Sequence, residues 1–188
     1  MALDRKDQIL AAAYEIVGTQ GLEELHARSV AAKVGINHAA VHYYFPKRTD
    51  LIVGVASYAV GRFDSDREKL LADASNVTAR IDAMLAQAEA YCKPNSRFVK
   101  NWLSFFVAGL ADESVHDVLS NHLVDWAEGF SAEIQQGSKT GAVRRASPFV
   151  NPELLVATLL GIMVAAHTIG PDFDVEEKLD LVAGSLLA

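Results

Sequence analysis

The sequence predicts an all-α fold, and three observations carry that expectation. Apolar residues recur at three- and four-residue spacing through most of the chain. The hydrophobic share, 51%, suits a well-buried helical core. Five prolines and few alternating β-branched runs leave little material for strands. Within that class the punctuation predicts a short three-helix head, residues 1–50, joined to a larger helical bundle, residues 51–188.

Asp7 to Gln20 carries Ile9, Ala13, Ile16 and Val17, an amphipathic helix of about four turns. Gly21 ends it, and Leu22 is the apolar residue that often follows such a cap. From Ala27 to Phe45 two short helices meet at a tight turn. Val30, Ala31 and Val34 form one stripe, Gly35 offers a left-handed stop, and Asn37 caps the second helix. Val41 and Tyr44 are expected to face the first of the pair, with His38, Ala39, His42 and Tyr43 pointing elsewhere. Pro46 breaks the pattern. A long helix then starts near Lys47 to Asp50 and runs through Leu51, Val55, Tyr58 and Phe63 toward Leu71, linking head to body.

Four more amphipathic segments follow. Val77, Ile81, Met84, Leu85, Ala88 and Tyr91 mark one, closed by Pro94 and Asn95. Phe98, Trp102, Phe105, Phe106 and Leu110 mark the next, and Val115 through Ile134 a third that is expected to stop near Gly137. The stretch Ser138 to Pro152 reads as a loop, rich in Gly, Ser and Pro. Leu154 to Ile169 is apolar almost all round and needs cover on every side. Val175, Leu179, Val182 and Leu186 make a last helix.

Several classes are disfavoured. The run Leu154 to Ala166 is too short to span a bilayer, and the charged N-terminal octet lacks a signal-peptide core, so no membrane partner is expected. Cys92 is the only cysteine, which excludes an internal disulfide and fits a reducing cytoplasm. Glu113-x-x-His116 has di-iron ligand spacing but lacks a matching second pair. No glycine-rich phosphate loop, nucleophile elbow or metal-spaced Cys/His cluster is present, so neither an enzyme nor a cofactor is expected.

The net charge of −7 runs against nucleic-acid binding until it is split. Residues 1–50 hold six Lys/Arg against six Asp/Glu and are neutral. Residues 51–188 hold eleven against eighteen and carry the whole deficit. Three of the six histidines, His26, His38 and His42, lie in the neutral head.

The spacing Ala31, Gly35, Val41 is what a DNA-binding helix-turn-helix needs: a small residue, a turn glycine and a branched seam residue. Arg28 is then placed for a guanine edge or a phosphate. Asn37, His38, Ala39, Ala40 and His42 would line the major groove. Tyr43, Tyr44, Lys47 and Arg48 would hold phosphates and fix register, although Tyr44 reads equally well as a core residue with a wet hydroxyl.

The segment HYYFPKRTDL, His42 to Leu51, resembles the signature that closes the DNA-binding domain of the tetracycline-repressor (TetR) family, and Gly21 five residues before His26 fits the same pattern. The resemblance covers residues 7–54. Two departures stand out: His26 replaces the usual Thr cap, and Val41-His42 replaces the usual Leu-Tyr pair. The resemblance implies DNA contacts at Arg28, His38 to Ala40, His42, Tyr44 and Arg48. It also implies a homodimer paired through its last two helices, and a small-molecule effector held in the body. Dimerisation has an independent motive, because two heads about 34 Å apart read a palindrome.

In the body, Tyr91, Trp102, Phe105, Phe106, Trp126 and Phe130 fall on the expected inward faces of three consecutive helices. Singly such aromatics are core, but as a set they outline a cavity for an apolar ligand. His122 and His167 are the polar groups placed to orient it. The expected function is a ligand-responsive DNA-binding regulator, a repressor released from a palindromic operator. The alternatives are a small-molecule-binding bundle that does not use its helix-turn-helix, and an activator of the same fold.

Overall fold

A computed structural model describes residues 4–188, so the first three residues of the charged N-terminal octet lie outside it. The elements in order are α1 (Arg5–Gln20), a 3₁₀ turn (Leu22–Glu24), α2 (Ala27–Val34), α3 (His38–Tyr44), α4 (Arg48–Leu71), α5 (Val77–Cys92), α6 (Phe98–Gly109), α7 (Glu113–Thr140), α8 (Pro152–Ile169) and α9 (Val175–Leu186). Among the described residues the only β pairing is an isolated bridge between Val143 and Leu187. The chain forms two compact units. One comprises the chain up to Phe63 with Lys100–Ser120, and the other comprises Asp64–Val99 with Asn121–Ala188. The first unit therefore reaches past residue 50 and takes in most of α6 and the start of α7.

In the first unit, α1 packs on α2 and α2 on α3. Ile9, Ala13, Ile16, Val17, Val30 and Val41 are buried there, each large side chain contributing about 1.5–3 kcal/mol. The helix ends follow the sequence signals. Asp4 Oδ1 accepts from the Asp7 N–H at 3.0 Å, and Gly21 leaves α1 at φ 93°. Tyr14 meets Tyr58 edge-on at 5.9 Å with the Arg62 guanidinium 5.3 Å from its ring centre, which ties α1 to α4.

One expectation is corrected in this unit. Tyr44, expected to face α2, is 38% exposed, and the next residue, Phe45, is buried instead. Its ring lies against Gly54 of α4, where a Cβ would stand 2.7 Å from Phe45 Cε1 and 3.2 Å from Leu10 Cδ2. The chain turns inward after α3 because α4 offers a bare backbone at that level.

In the second unit α8 lies against both α5 and α9, with Leu155, Leu159 and Met163 buried. Leu154, Ile169 and, on α9, Leu181 stay exposed, so the apolar girth of α8 is covered on one side only. Pro152–Asp172, with a mean hydropathy of 1.8, is long and apolar enough to cross a membrane by length and composition alone. That span adds flanking residues to the shorter run 154–166, and a core helix passes the same test. Its packing between α5 and α9 is that of a bundle helix.

The expected stop of α7 at Gly137 is also corrected, since the helix runs on to Thr140. Gly137 serves close approach: a Cβ there would overlap Val143 and press on Val77 at 3.1 Å. The residue that turns the chain is Gly141, at φ 82°. Beyond it, Arg144 N–H donates to Leu186 O at 2.8 Å and Ala188 N–H to Ala142 O at 3.0 Å, pinning the final residues beside this loop.

Replacing Gly54 with Val should force the Phe45 ring from its seat and destabilise the chain by about 1–3 kcal/mol. Urea unfolding checks this, and a midpoint at the wild-type value would mean that the ring relocates without cost.

Candidate nucleic-acid interface and effector site

The turn between α2 and α3 is built from three residues. Gly35 sits in the left-handed region at φ 76°, and both its own N–H and that of Ile36 donate to Ala31 O, at 2.9 and 3.0 Å. Asn37 Oδ1 then accepts from the Ala39 N–H at 2.9 Å and starts α3. His26, the unusual residue at the head of α2, is held by Ser29, whose Oγ accepts from the His26 N–H at 3.1 Å. Ser29 also lies 2.7 Å from Glu24 O, within donating distance.

α3 has two sides. Val41 is fully buried and Ala40 partly so, while His38, Ala39, His42 and Tyr43 face solvent, Tyr43 at 81% exposure. The His38 and His42 rings lie 6.2 Å apart and edge-on. Tyr43 and Tyr44 make a second edge-on pair at 5.3 Å. Arg28 and Lys47 are exposed at the flanks, and the Lys47 N–H donates to Asp50 Oδ2 at 2.9 Å, opening α4. Arg48 is partly committed. Its Nη2 donates to Leu22 O at 2.8 Å and its Nε to Leu25 O at 3.3 Å, tying α4 to the α1–α2 connection. The sequence carried no signal for that tie, nor for the Phe45–Gly54 seat.

In the second unit His122, Trp126 and Phe130 follow one another along α7 at four-residue spacing. His122 stacks on Trp126 at 6.2 Å and 23°, and Trp126 leans on Phe130 at 6.5 Å. Tyr91 stacks on Phe98 at 4.3 Å and donates from its hydroxyl to Asp66 Oδ2 at 3.1 Å. Two polar residues were missed by the sequence reading. Arg67 Nη2 donates to Asp64 Oδ1 at 3.0 Å, and its Nη1 is 3.5 Å from where a Cβ on Gly129 would stand. Gln87 is buried on α5. Both were legible in principle, since Arg67 lies one turn past Phe63 and Gln87 three residues past Met84, on apolar faces.

Trp102, Phe105 and Phe106 belong to the other compact unit. Trp102 and Phe105 are buried there, but Phe106 is 51% exposed, which corrects the expected inward face. His167 Nδ1 lies 3.0 Å from Met163 O on its own helix. Two apolar clefts flank α8. One of about 350 Å³ is lined by Leu123, Val124, Val156 and Leu160, and one of about 410 Å³ by Phe149, Ile162, Phe173 and Leu181.

The electrostatics of the second unit are set by burial. His122, 2% exposed, is lowered from 6.5 to about 4, first by desolvation and then by the Arg67 charge, with Asp125 opposing. It is therefore neutral at pH 7. The Asp64 carboxyl is raised, mainly by burial. Cys92 is a free thiol pushed up to about 11 by burial and then by Glu89. Among the described residues no group of His, Cys, Asp and Glu forms a metal site.

Comparison with known proteins follows this division. Residues 9–55 match the family model of bacterial regulatory proteins, tetR family. The chain is 21% identical over 157 residues to the nucleoid occlusion factor SlmA of Idiomarina loihiensis, across 84% of this chain and 78% of that protein. It is 22% identical over 115 residues to the HTH-type transcriptional regulator BetI of Rhizobium meliloti, across 61% and 57%. Among solved structures, a transcriptional regulator from Saccharomonospora viridis in complex with choline superimposes with a TM-score of 0.83 at 16% identity, covering 97% of both chains. A TetR transcriptional regulator from Chloroflexus aurantiacus gives 0.81 at 18%, covering 97% of this chain and 96% of that one. At such identities these structures establish the fold.

The neutral His122 yields a pH dependence whose sign follows from the lowered value. The unfolded chain takes up the proton near 6.5 and the folded chain only near 4. Stability should therefore fall as pH drops through that window, by up to about 3 kcal/mol from this residue. Urea unfolding of wild type and His122→Phe across the window checks this, the variant showing the shallower acid limb.

Proposed function

The chain belongs, through residues 9–55, to the tetR family of bacterial regulatory proteins, and from that premise we propose a ligand-responsive DNA-binding transcriptional regulator. In this reading it is a repressor that a small molecule releases from a palindromic operator. The observation that carries the reading is the face of α3. Five side chains stand open to solvent on a helix whose other side is fixed by Val41, with Phe45 seated just beyond its end. His38, Ala39 and His42 reach base edges, the alanine meeting thymine methyls. Asn37 and Ala40 lie at the margins of that face. Arg28, Tyr43, Tyr44 and Lys47 hold phosphates, and Arg48 sets the angle at which α4 leaves the interface.

The operator is read by two copies. The exposed Leu154 and Leu181, at 45% and 62%, and the two clefts beside α8 form an apolar surface that a second copy of α8 and α9 fits. The effector occupies the body, where Tyr91, Trp126 and Phe130 offer aromatic faces and His122 a neutral polar edge. Such faces suit an apolar molecule or one with a cationic headgroup, a reading supported by the choline complex of the S. viridis protein. His167, on α8 of the same unit, completes the proposed set. Release is a population shift in which effector binds the DNA-free conformation more tightly. A coupling of about 1–3 kcal/mol would weaken DNA binding about 5–150-fold. The work belongs to the cytoplasm and needs no cofactor.

Selecting bound duplexes from a random pool tests the reading, with an inverted repeat as the expected product. Leu181→Glu should sediment as a monomer, keep its helical circular dichroism, and bind the selected duplex about 100-fold or more weakly. A dimeric Leu181→Glu protein would move the seam elsewhere, and failure to enrich any duplex would remove the regulator reading.

A further inference from the structure

Between Glu24 and Asp50 the chain has no Asp or Glu, yet it carries Arg28, Lys33, Lys47 and Arg48 together with His26, His38 and His42. That stretch contains both helices of the helix-turn-helix, and all three histidines are exposed. α2, the helix packed against α3, presents only the cations Arg28 and Lys33, and Lys33 is paired at 2.8 Å with Glu15 of α1. The remaining acids nearby in sequence are Glu23 and Glu24 before α2 and Asp50 in α4, which is occupied by the Lys47 N–H. A proton taken up by His38 or His42 therefore meets no carboxylate on α2 or α3. The charged and titratable groups that those two helices carry besides it are Arg28, Lys33, Tyr43, Tyr44 and the other imidazole, 6.2 Å away. In the free protein no acid on either helix compensates that charge. On duplex DNA, the phosphates compensate it.

We infer that the helix-turn-helix is a proton-tuned grip, in which His38 and His42, facing the groove, gain positive charge as pH falls that the flanking phosphates neutralise, and so set the strength of DNA binding. The inference rests on the DNA-binding reading above and goes beyond it to the regulation of that interface. Histidine is the side chain whose ordinary charge change falls between about pH 5 and 8. Full protonation of the three would take the stretch from four positive charges to seven, so the balance of the interface is decided by protons as much as by Lys and Arg. His42 lies in the last turn of α3, where the helix dipole favours a cation, whereas His38 opens that helix, where it does not. Linkage fixes the sign: DNA holds the protonated form, so binding strengthens as pH drops through the histidine range and weakens as it rises.

The test uses the full-length protein and a duplex selected at about pH 7.8. Binding is titrated against salt at that pH and at about pH 5.8, with circular dichroism confirming the fold at both. Each added phosphate contact steepens the logarithmic salt slope by about 0.9, roughly a further 3-fold loss of affinity between about 50 and 200 mM salt. The wild-type slope should steepen by about one to two at the lower pH. In His38→Gln/His42→Gln, whatever its affinity at pH 7.8, the two slopes should coincide. Equal wild-type slopes would overturn the inference while leaving DNA binding intact. A double variant that still steepens would overturn it too, placing the protons on His26 or the body. Absence of binding at pH 7.8 in low salt would be a different failure, that of the regulator reading itself.

Discussion

The molecule depends on a ring set against a bare stretch of backbone. α3 has seven residues, well below the length at which a helix persists unaided in water. It keeps its shape because Val41 is buried beneath it and because Phe45, one residue beyond its end, lies on Gly54 beside Leu10. This seat fixes where α3 stops and where α4 begins. Arg48 adds a second fastening by bonding the carbonyls of Leu22 and Leu25. The outward residues of α3 make no such contribution to stability, so they are free to be chosen for what they touch.

The body follows another logic. Its interior admits Gln87 and His122 among Met84, Trp126 and Phe130, polar groups that cost free energy to bury, and Arg67 is half-buried at its edge. A core selected for stability alone would replace them with apolar side chains. They lie on three different helices, α4, α5 and α7, with His122 close enough to Arg67 to feel its charge. The outer faces of α8 and α9 are the reverse case, apolar and open. One unit thus has polar groups where water is excluded and leucines where it is not.

Local signals were legible in the sequence, and contacts between distant segments were not. Gly21, Gly35 and Asn37 act as punctuation by virtue of their own backbone chemistry, so the helix-turn-helix was readable residue by residue. Gly54 and Gly137 are glycines of another kind. Each sits inside a helix because a side chain from elsewhere needs the space, Phe45 in one case and Val143 in the other. Nothing within a few residues announces that, so Gly137 was read as a terminus and the Tyr44–Phe45 order was assigned one residue early. Phe106 shows the same limit, since helical spacing alone places it beside Phe105 without saying which of them meets solvent. The body histidines lie between these cases. His122 was readable as a buried polar group, but its neutrality follows first from the burial that tertiary packing imposes and then from Arg67, more than fifty positions away in the chain.

Cys92 has a consequence of its own. It is the one thiol in the sequence, it is buried at the end of α5, and its proton is held tightly enough that thiolate is scarce at neutral pH. An alkylating reagent meets it only when that part of the bundle opens, so the rate of modification is a clock for local unfolding. An occupant of the body that shuts the clock down would declare itself without any duplex being present.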